Sequence, residues 1–467
     1  MEFISTRGKD GPISFETALL NGLARDGGLY LPVSWPRFNL DEIRQMRDLS
    51  YSDLAGLIMS RFTDGEIDQV EMMSLARQSY ADFTHPDVAP LRPVAENIHI
   101  LELFHGPTIA FKDYAMQFLS RVFDRALTRQ NRTAVILGAT SGDTGSAALE
   151  AFKGRDSVDV FILFPNGRVS PVQQKQMTSN SAKGAHAVAV SGDFDDCQDI
   201  VKACFNDVAF RDEMNLSAVN SINWARLMPQ IVYYFASALK VGAPKQTVAF
   251  CVPTGNFGNV FAGWVANKMG LPIEKFIVAS NRNDILTRFF ATGTMQRQSV
   301  DPSLSPSMDI QVSSNFERLL FELLDRDGVE VARLMKRFAR SGSFDVAENV
   351  LRSALSLFSG FCVDDDGTKA EIRSTYQQTG MVIDPHSAVG LAGARHARAS
   401  GLVSRDTPII SLACAHPAKF PDAVQSSCGI YPELPEHLAD LMQRDDVMLT
   451  AENDMEAVQA LMRAERR

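Results

Sequence analysis

Apolar and polar positions alternate in different rhythms along the chain. Over residues 1–90 the rhythm is helical: Asp41 to Arg47, Tyr51 to Arg61 and Glu66 to Phe83 read as amphipathic helices. Ser14 and Thr17 are placed to cap an earlier helix through Ala18–Ala24, and Asp26-Gly27-Gly28 makes a turn into a short strand. From 98 to 265 short apolar runs alternate with helical patterns. Strands are expected at Ala134–Leu137, Val158–Phe164, His186–Val190 and Thr247–Val252. Helices are expected from near Ala147, over Pro171–Thr178, over Asp195–Phe205 and over Val260–Lys268. That alternation predicts a parallel sheet covered on both faces. Residues 270–330 look irregular, with a Pro/Ser loop at 301–310, and 315–378 look mostly helical. Met381–Ser387 leads into a small-residue helix, and Ile409–Ala413 is a further strand. The tail from 436 reads as a charged, peripheral helix.

A length of 467 residues implies either several domains or one large α/β unit with additions. The net charge of −10 argues against a nucleic-acid partner, which needs a basic patch. The 45% apolar and 22% charged fractions are those of an ordinary soluble protein. No apolar run approaches the roughly 20 residues that span a bilayer, and the first residues lack the order of a signal peptide. Six scattered cysteines, none in a Cys-x-x-Cys pair, suit reduced thiols in the cytoplasm rather than a zinc or redox motif.

Candidate chemistry begins at residues 101–120. A short apolar strand leads into Gly106-Pro107, and a helix is expected from about Ile109. Phe111, Ala115, Phe118 and Leu119 mark its buried side, and Lys112 shares that side. An amine drawn into apolar surroundings loses proton affinity and becomes a usable nucleophile or base. A lysine that lays its stem on the core and keeps its head in water gives the same pattern. Two Gly-rich turns each follow a strand and open a helix: Thr140-Ser141-Gly142-Asp143-Thr144-Gly145 and Thr254-Gly255-Asn256-Phe257-Gly258-Asn259. Such turns present free N–H groups to phosphate or carboxylate; either one alone is equally an ordinary tight turn. Neither has the spacing of a dinucleotide fingerprint or a phosphate loop, and no metal-ligand cluster or serine-nucleophile elbow is present. His105 and His416 read better as structural histidines. A lysine with two anion cradles, and no metal or nucleotide signal, fits a pyridoxal phosphate enzyme.

The longest ordered runs carry a resemblance. They include Ser5-Thr6-Arg7-Gly8, Glu102-Leu103-Phe104-His105-Gly106-Pro107-Thr108, Ala110-Phe111-Lys112-Asp113 and Ala139-Thr140-Ser141-Gly142-Asp143-Thr144-Gly145. With them go Pro171-Val172-Gln173, Asn223-Trp224-Ala225-Arg226, Gly255-Asn256-Phe257-Gly258, Ser307-Met308-Asp309-Ile310 and Ala415-His416-Pro417-Ala418-Lys419-Phe420. Over almost its whole length the chain resembles the longer branch of the threonine synthase family. The resemblance implies an α/β tryptophan-synthase-β-like fold (fold type II), with two open, mostly parallel sheets flanked by helices and a mainly helical N-terminal domain. It implies domains at 1–90, 91–435 and 436–467, with a smaller mobile part at about 130–225 and a helical insertion at about 300–378.

Carried over residue by residue, the resemblance makes Lys112 the Schiff-base lysine. It makes Gly255, Asn256, Phe257 and Gly258 the cofactor's phosphate cradle, with Asn259 beside them. Thr140, Ser141, Gly142 and Thr144 match the turn for the substrate α-carboxylate, with Asp143 near the cofactor's ring hydroxyl. Cys414 falls beside the pyridine nitrogen. Asn259 and Cys414 stand where the family commonly has aspartate and threonine. Arg226 and Lys175, with Arg168 behind them, are the cationic candidates for the substrate phosphate. The implied reaction takes O-phospho-L-homoserine and water to L-threonine and phosphate, in a cytoplasmic monomer or homodimer. Its rivals are a dehydratase on the same scaffold and a catalytically silent, metabolite-binding relative.

Overall fold

The structure is a computed structural model that describes every residue except Asp64, Ser141, Ser181 and Val219. The first strands, β1 (Phe3–Ser5) and β2 (Tyr30–Pro32), pair antiparallel. Four helices accompany them over Phe15–Asn21, Leu40–Gln45, Tyr51–Ser60 and Gln69–Tyr80. Each is capped by the side chain before it: Ser14, Asn39, Ser50 and Asp68. Phe3 packs on Phe15 and Trp224, so this region shares its core with the rest of the chain.

The remaining strands are β3 (Leu91–Ala95), β4 (Ile98–Glu102), β5 (Ala134–Ala139), β6 (Val158–Pro165), β7 (Ala185–Val190), β8 (Leu216–Ser217), β9 (Val248–Pro253), β10 (Ile273–Ser280), β11 (Thr294–Gln296), β12 (Ser343–Asp345), β13 (Phe358–Cys362), β14 (Ile409–Ala413) and β15 (Leu449–Ala451). They build a six-stranded sheet in the order β13-β10-β9-β14-β4-β3, parallel except for the β3–β4 pair. A five-stranded sheet in the order β15-β7-β6-β5-β8 is parallel throughout. Every residue of β6 and of β9 is buried, as a doubly covered parallel sheet requires; the one charge among them, Asp159 in β6, pairs with Arg467 at 2.6 Å.

Three expectations change. Residues 270–330 are not irregular throughout, because β10 lies inside the larger sheet and a helix follows over Ile285–Thr292. Glu274 and Lys275 interrupt the apolar run at its start, where the register against β9 also shifts. The mostly helical stretch 315–378 also contains β13, which adds to the edge of that sheet; its apolar pattern continues directly from the helix Glu348–Leu357. The tail is not one peripheral helix. It makes short turns at Glu436–Leu438 and Leu441–Gln443, then β15, then a helix over Met455–Glu465. That helix buries Val458 and Met462 in a cluster with Val188, Val190 and Ile200. Leu438 and Leu441 cover Ile109 and Val172 on the way.

Candidate active site

The turns singled out in the sequence lie at the carboxyl ends of β4, β5, β9 and β14, where ligands of open parallel sheets collect. After β4 the chain makes a tight loop. Its helix starts at Lys112, not Ile109, because Ile109 takes a left-handed φ of 56°. Asp113 accepts from the Thr108 amide at 2.9 Å and from its hydroxyl at 2.6 Å. A Cβ at Gly106 would lie 2.5 Å from that of Asp113, so glycine is needed there. Phe111 donates its N–H to the Cys414 carbonyl at 2.8 Å, and His416 donates to that of Ile109 at 3.0 Å. The loop before Lys112 is thus laced to the turn after β14.

Lys112 opens its helix, largely buried, and its Nζ donates to Oδ2 of Asp143 at 3.1 Å. Asp143 opens the helix after β5, earlier than the expected start near Ala147. Its Oδ1 takes a second ammonium, Lys419 Nζ at 2.9 Å, and the Gln173 amide at 2.7 Å. Burial alone would raise the Asp143 pKa; the charges of Lys112 and Lys419 and the Gln173 hydrogen bond outweigh it and hold the carboxylate ionised, well below its usual range. Lys419 also donates to the Thr108 carbonyl at 2.9 Å, joined there by Gln176 at 3.1 Å. Asp113 shows the opposite balance, with burial pushing its carboxyl up to about 6.

Cys414 ends β14 close enough to Lys112 and Asp143 to feel both charges, and burial raises its thiol well above the ordinary value. Its N–H donates to Ser387 Oγ at 3.1 Å; that hydroxyl in turn donates to Asp384.

The turn after β9 is held from outside. Ser313 donates to the Gly255 carbonyl at 2.7 Å, and Asn315 donates to that of Asn256 through its backbone at 3.0 Å and its amide at 3.1 Å. A Cβ at Gly255 would meet the Ser307 carbonyl at 2.8 Å. Phe257 adopts a left-handed φ of 62° and buries its ring against Phe316. The helix beginning at Gly258 has no side-chain cap, so its first N–H groups face the strand end. Asn259 accepts from Tyr233 at 2.7 Å and Tyr234 at 2.8 Å; its buried Nδ2 has no partner among the described residues. An uncapped helix start, an orphaned buried donor and a glycine that admits no side chain fit the phosphate of pyridoxal phosphate.

Other candidates are placed differently. Thr140 Oγ1 is taken up locally, accepting from Gly142 at 2.9 Å and Gly145 at 3.0 Å. Thr144 is half-buried on the first turn of that helix, and Ser141 lies outside the described residues. Lys175 is two positions from Gln173, about 200° around the helix. It pairs with Asp446 at 3.0 Å and does not join the Asp143 cluster. Arg168 is exposed. Arg226 is buried, and burial lowers its guanidinium to about 10. His105 pairs with Glu102 at 2.8 Å, and His416 caps the turn at Ala418 while burial lowers its pKa to about 4. Pattern reading missed Lys419, Gln173 and Gln176. Gln173 and Lys419 sit in runs that support the family resemblance, but nothing local in the spacing of the three marks them.

Three family profiles match in chain order: "Threonine synthase N terminus" over residues 2–80, "Pyridoxal-phosphate dependent enzyme" over 90–349 and "Threonine synthase, C-terminal" over 387–462. Fold and site therefore define a pyridoxal phosphate-dependent enzyme of fold type II. Within that class, the chain belongs to the threonine synthase family. It is 49% identical to the threonine synthase of Pseudomonas aeruginosa, over 99% of this chain and 98% of that one. It superimposes on the pyridoxal phosphate-bound threonine synthase of Brucella melitensis with a TM-score of 0.97 at 51% identity, covering 100% of both chains. The yeast threonine synthase follows with a TM-score of 0.94 at 38% identity, over 99% of this chain and 98% of that one.

Proposed function

We propose that the chain converts O-phospho-L-homoserine and water to L-threonine and phosphate, with pyridoxal phosphate as cofactor. One observation carries this reading: the match to threonine synthases runs end to end, N-terminal region included. Lys112 tethers the cofactor. The first N–H groups of the helix at Gly258, with Gly255, Asn256, Phe257 and Asn259 around them, would hold its phosphate, and Cys414 and Asp143 would meet its ring. Bound pyridoxal phosphate supplies the electron sink that makes the substrate's Cα proton removable. Thr140, Ser141, Gly142 and Thr144 orient the substrate carboxylate. The freed Lys112 amine takes the Cα proton and moves protons at Cβ and Cγ. Phosphate leaves Cγ with the electrons of the C–O bond, water adds its oxygen at Cβ, and Cγ finishes as a methyl group. Arg226 supplies positive charge toward the departing phosphate, while Lys175 is held by Asp446. Asp143 receives the Lys112 ammonium whenever that side chain is free, as the 3.1 Å contact suggests.

In this reading residues 1–90 are an N-terminal domain, 91–435 the catalytic unit with 300–378 as its helical insertion, and 436–467 a C-terminal segment. Residues 130–225 close over the substrate to exclude water. The six free thiols favour the reducing cytoplasm, where the enzyme works as a monomer or homodimer.

Phosphate release from O-phospho-L-homoserine, compared between wild type and Lys112→Ala, tests the assignment. Loss of at least 1,000-fold is expected, roughly 4 kcal/mol of barrier; full activity in the variant overturns it. Faster ketoacid release from threonine than phosphate release from phosphohomoserine would instead identify a dehydratase.

A further inference from the structure

Away from Lys112, a pocket of about 380 Å³ opens between the helix Lys112–Arg129, the end of the helix Asp143–Phe152, and residues 82–84. Arg121, Lys153 and Arg155 line it. Arg121 donates through Nη1 to the Gln117 carbonyl at 2.8 Å and to Gln117 Oε1 at 3.0 Å. The Nε atoms of Arg121 and Arg155 are both buried with no partner among the described residues. Neither guanidinium reaches a described carboxylate within 4.0 Å. Burial, and then the charge of Arg155, lower the Arg121 pKa to about 10, with Asp82 and Tyr80 pulling the other way. Lys153 touches Glu150 only loosely, at 3.9 Å.

Two arginines that merely cover a surface would keep their donors in water. Here each hides one, and the two cations repel each other across one cavity. Three cations against Asp82 and Glu150 leave the pocket net positive. Planar guanidinium forks match the tetrahedral oxygens of a phosphate group and bind them in pairs. We propose that this pocket binds a phosphate group, either inorganic phosphate or that of a small phosphomonoester, clamped between Arg121 and Arg155. Such an occupant ties together two helices whose first residues are Lys112 and Asp143, with Arg121 roughly 14 Å along its helix from Lys112.

The test is calorimetric titration of the cofactor-loaded enzyme with inorganic phosphate and, separately, ribose 5-phosphate. It reads binding without turnover, so it stands or falls apart from the reaction proposed above. The expected result is a binding event weakened at least ten-fold in Arg121→Gln and in Arg155→Gln. Any phosphate bound at the active site persists in both variants. Their initial rates without added phosphate should stay within about two-fold of wild type. Tighter binding of ribose 5-phosphate supports the site and assigns it to phosphomonoesters; equal or weaker binding supports it and assigns it to the free ion. Should Arg121→Gln fail to fold, Arg155→Gln, outside any regular element, decides alone. No binding to the wild type, or an unchanged isotherm in the folded variants, overturns the proposal.

Discussion

Lys419, with a fully buried side chain, holds Oδ1 of Asp143 at 2.9 Å. Removing one partner of a buried charge pair costs about 3–5 kcal/mol when the other is left uncompensated; Asp143 keeps Lys112 and Gln173, so its loss is smaller. Lys419→Met should lower unfolding free energy in urea by about 1.5–3 kcal/mol, the worth of one hydrogen bond to a charged group. The pH dependence follows. The folded pKa of Asp143 lies below its unfolded value, so its stabilisation is present above the unfolded pKa and is lost as pH falls through the folded one. With one ammonium gone the folded pKa rises, and the acid limb of the stability profile moves to higher pH. Identical acid limbs in wild type and variant would contradict the pairing.

Asp113 works in the other direction. Its folded pKa of about 6 lies above the ordinary 3.8, so the folded state holds a proton that the unfolded chain releases. Stability from this group therefore falls as pH rises from about 4 to 6, then levels. The shift corresponds to roughly 3 kcal/mol. Asp113→Asn should flatten that slope; urea unfolding at intervals from pH 4 to 7 measures it.

Gly255→Ala places a Cβ 2.8 Å from the Ser307 carbonyl, a backbone atom that cannot swing aside. The expected cost is about 1–3 kcal/mol of strain. Weaker retention of pyridoxal phosphate during dialysis should accompany it, read from absorbance near ~410–430 nm.

The thiols divide by access. Cys362 is exposed, Cys428 is half-covered, and Cys197, Cys204, Cys251 and Cys414 are buried. A disulfide reagent at pH 8 should therefore modify Cys362 first while phosphate release continues unchanged. Loss of activity in step with the first thiol would show that Cys414 is reachable.

The architecture was legible wherever burial left an unbroken apolar run. The apolar pattern marks Ile409–Ala413 with its observed bounds, and β5, β6, β7 and β9 within two residues. β10 was lost because Glu274 and Lys275 break its run, and β13 because it continues a helix without a break. Lys112 stood out by sharing an apolar face, and the two turns by their glycines. Lys419 had no such mark. Its meaning comes from Asp143, 276 residues earlier, and no local pattern encodes a contact across that separation. Lys175 misled for a related reason: its charge is visible in the sequence, but its partner Asp446 is far off along the chain.

One edge of the five-stranded sheet is built by β15, which pairs in parallel with β7 from more than half a chain further on. During synthesis, β7 therefore leaves the ribosome with one edge unpaired, and the edge stays so until β15 follows. The newborn polypeptide carries a sticky strand through most of its elongation. Dependence on holding chaperones should fall once β15 has paired with β7.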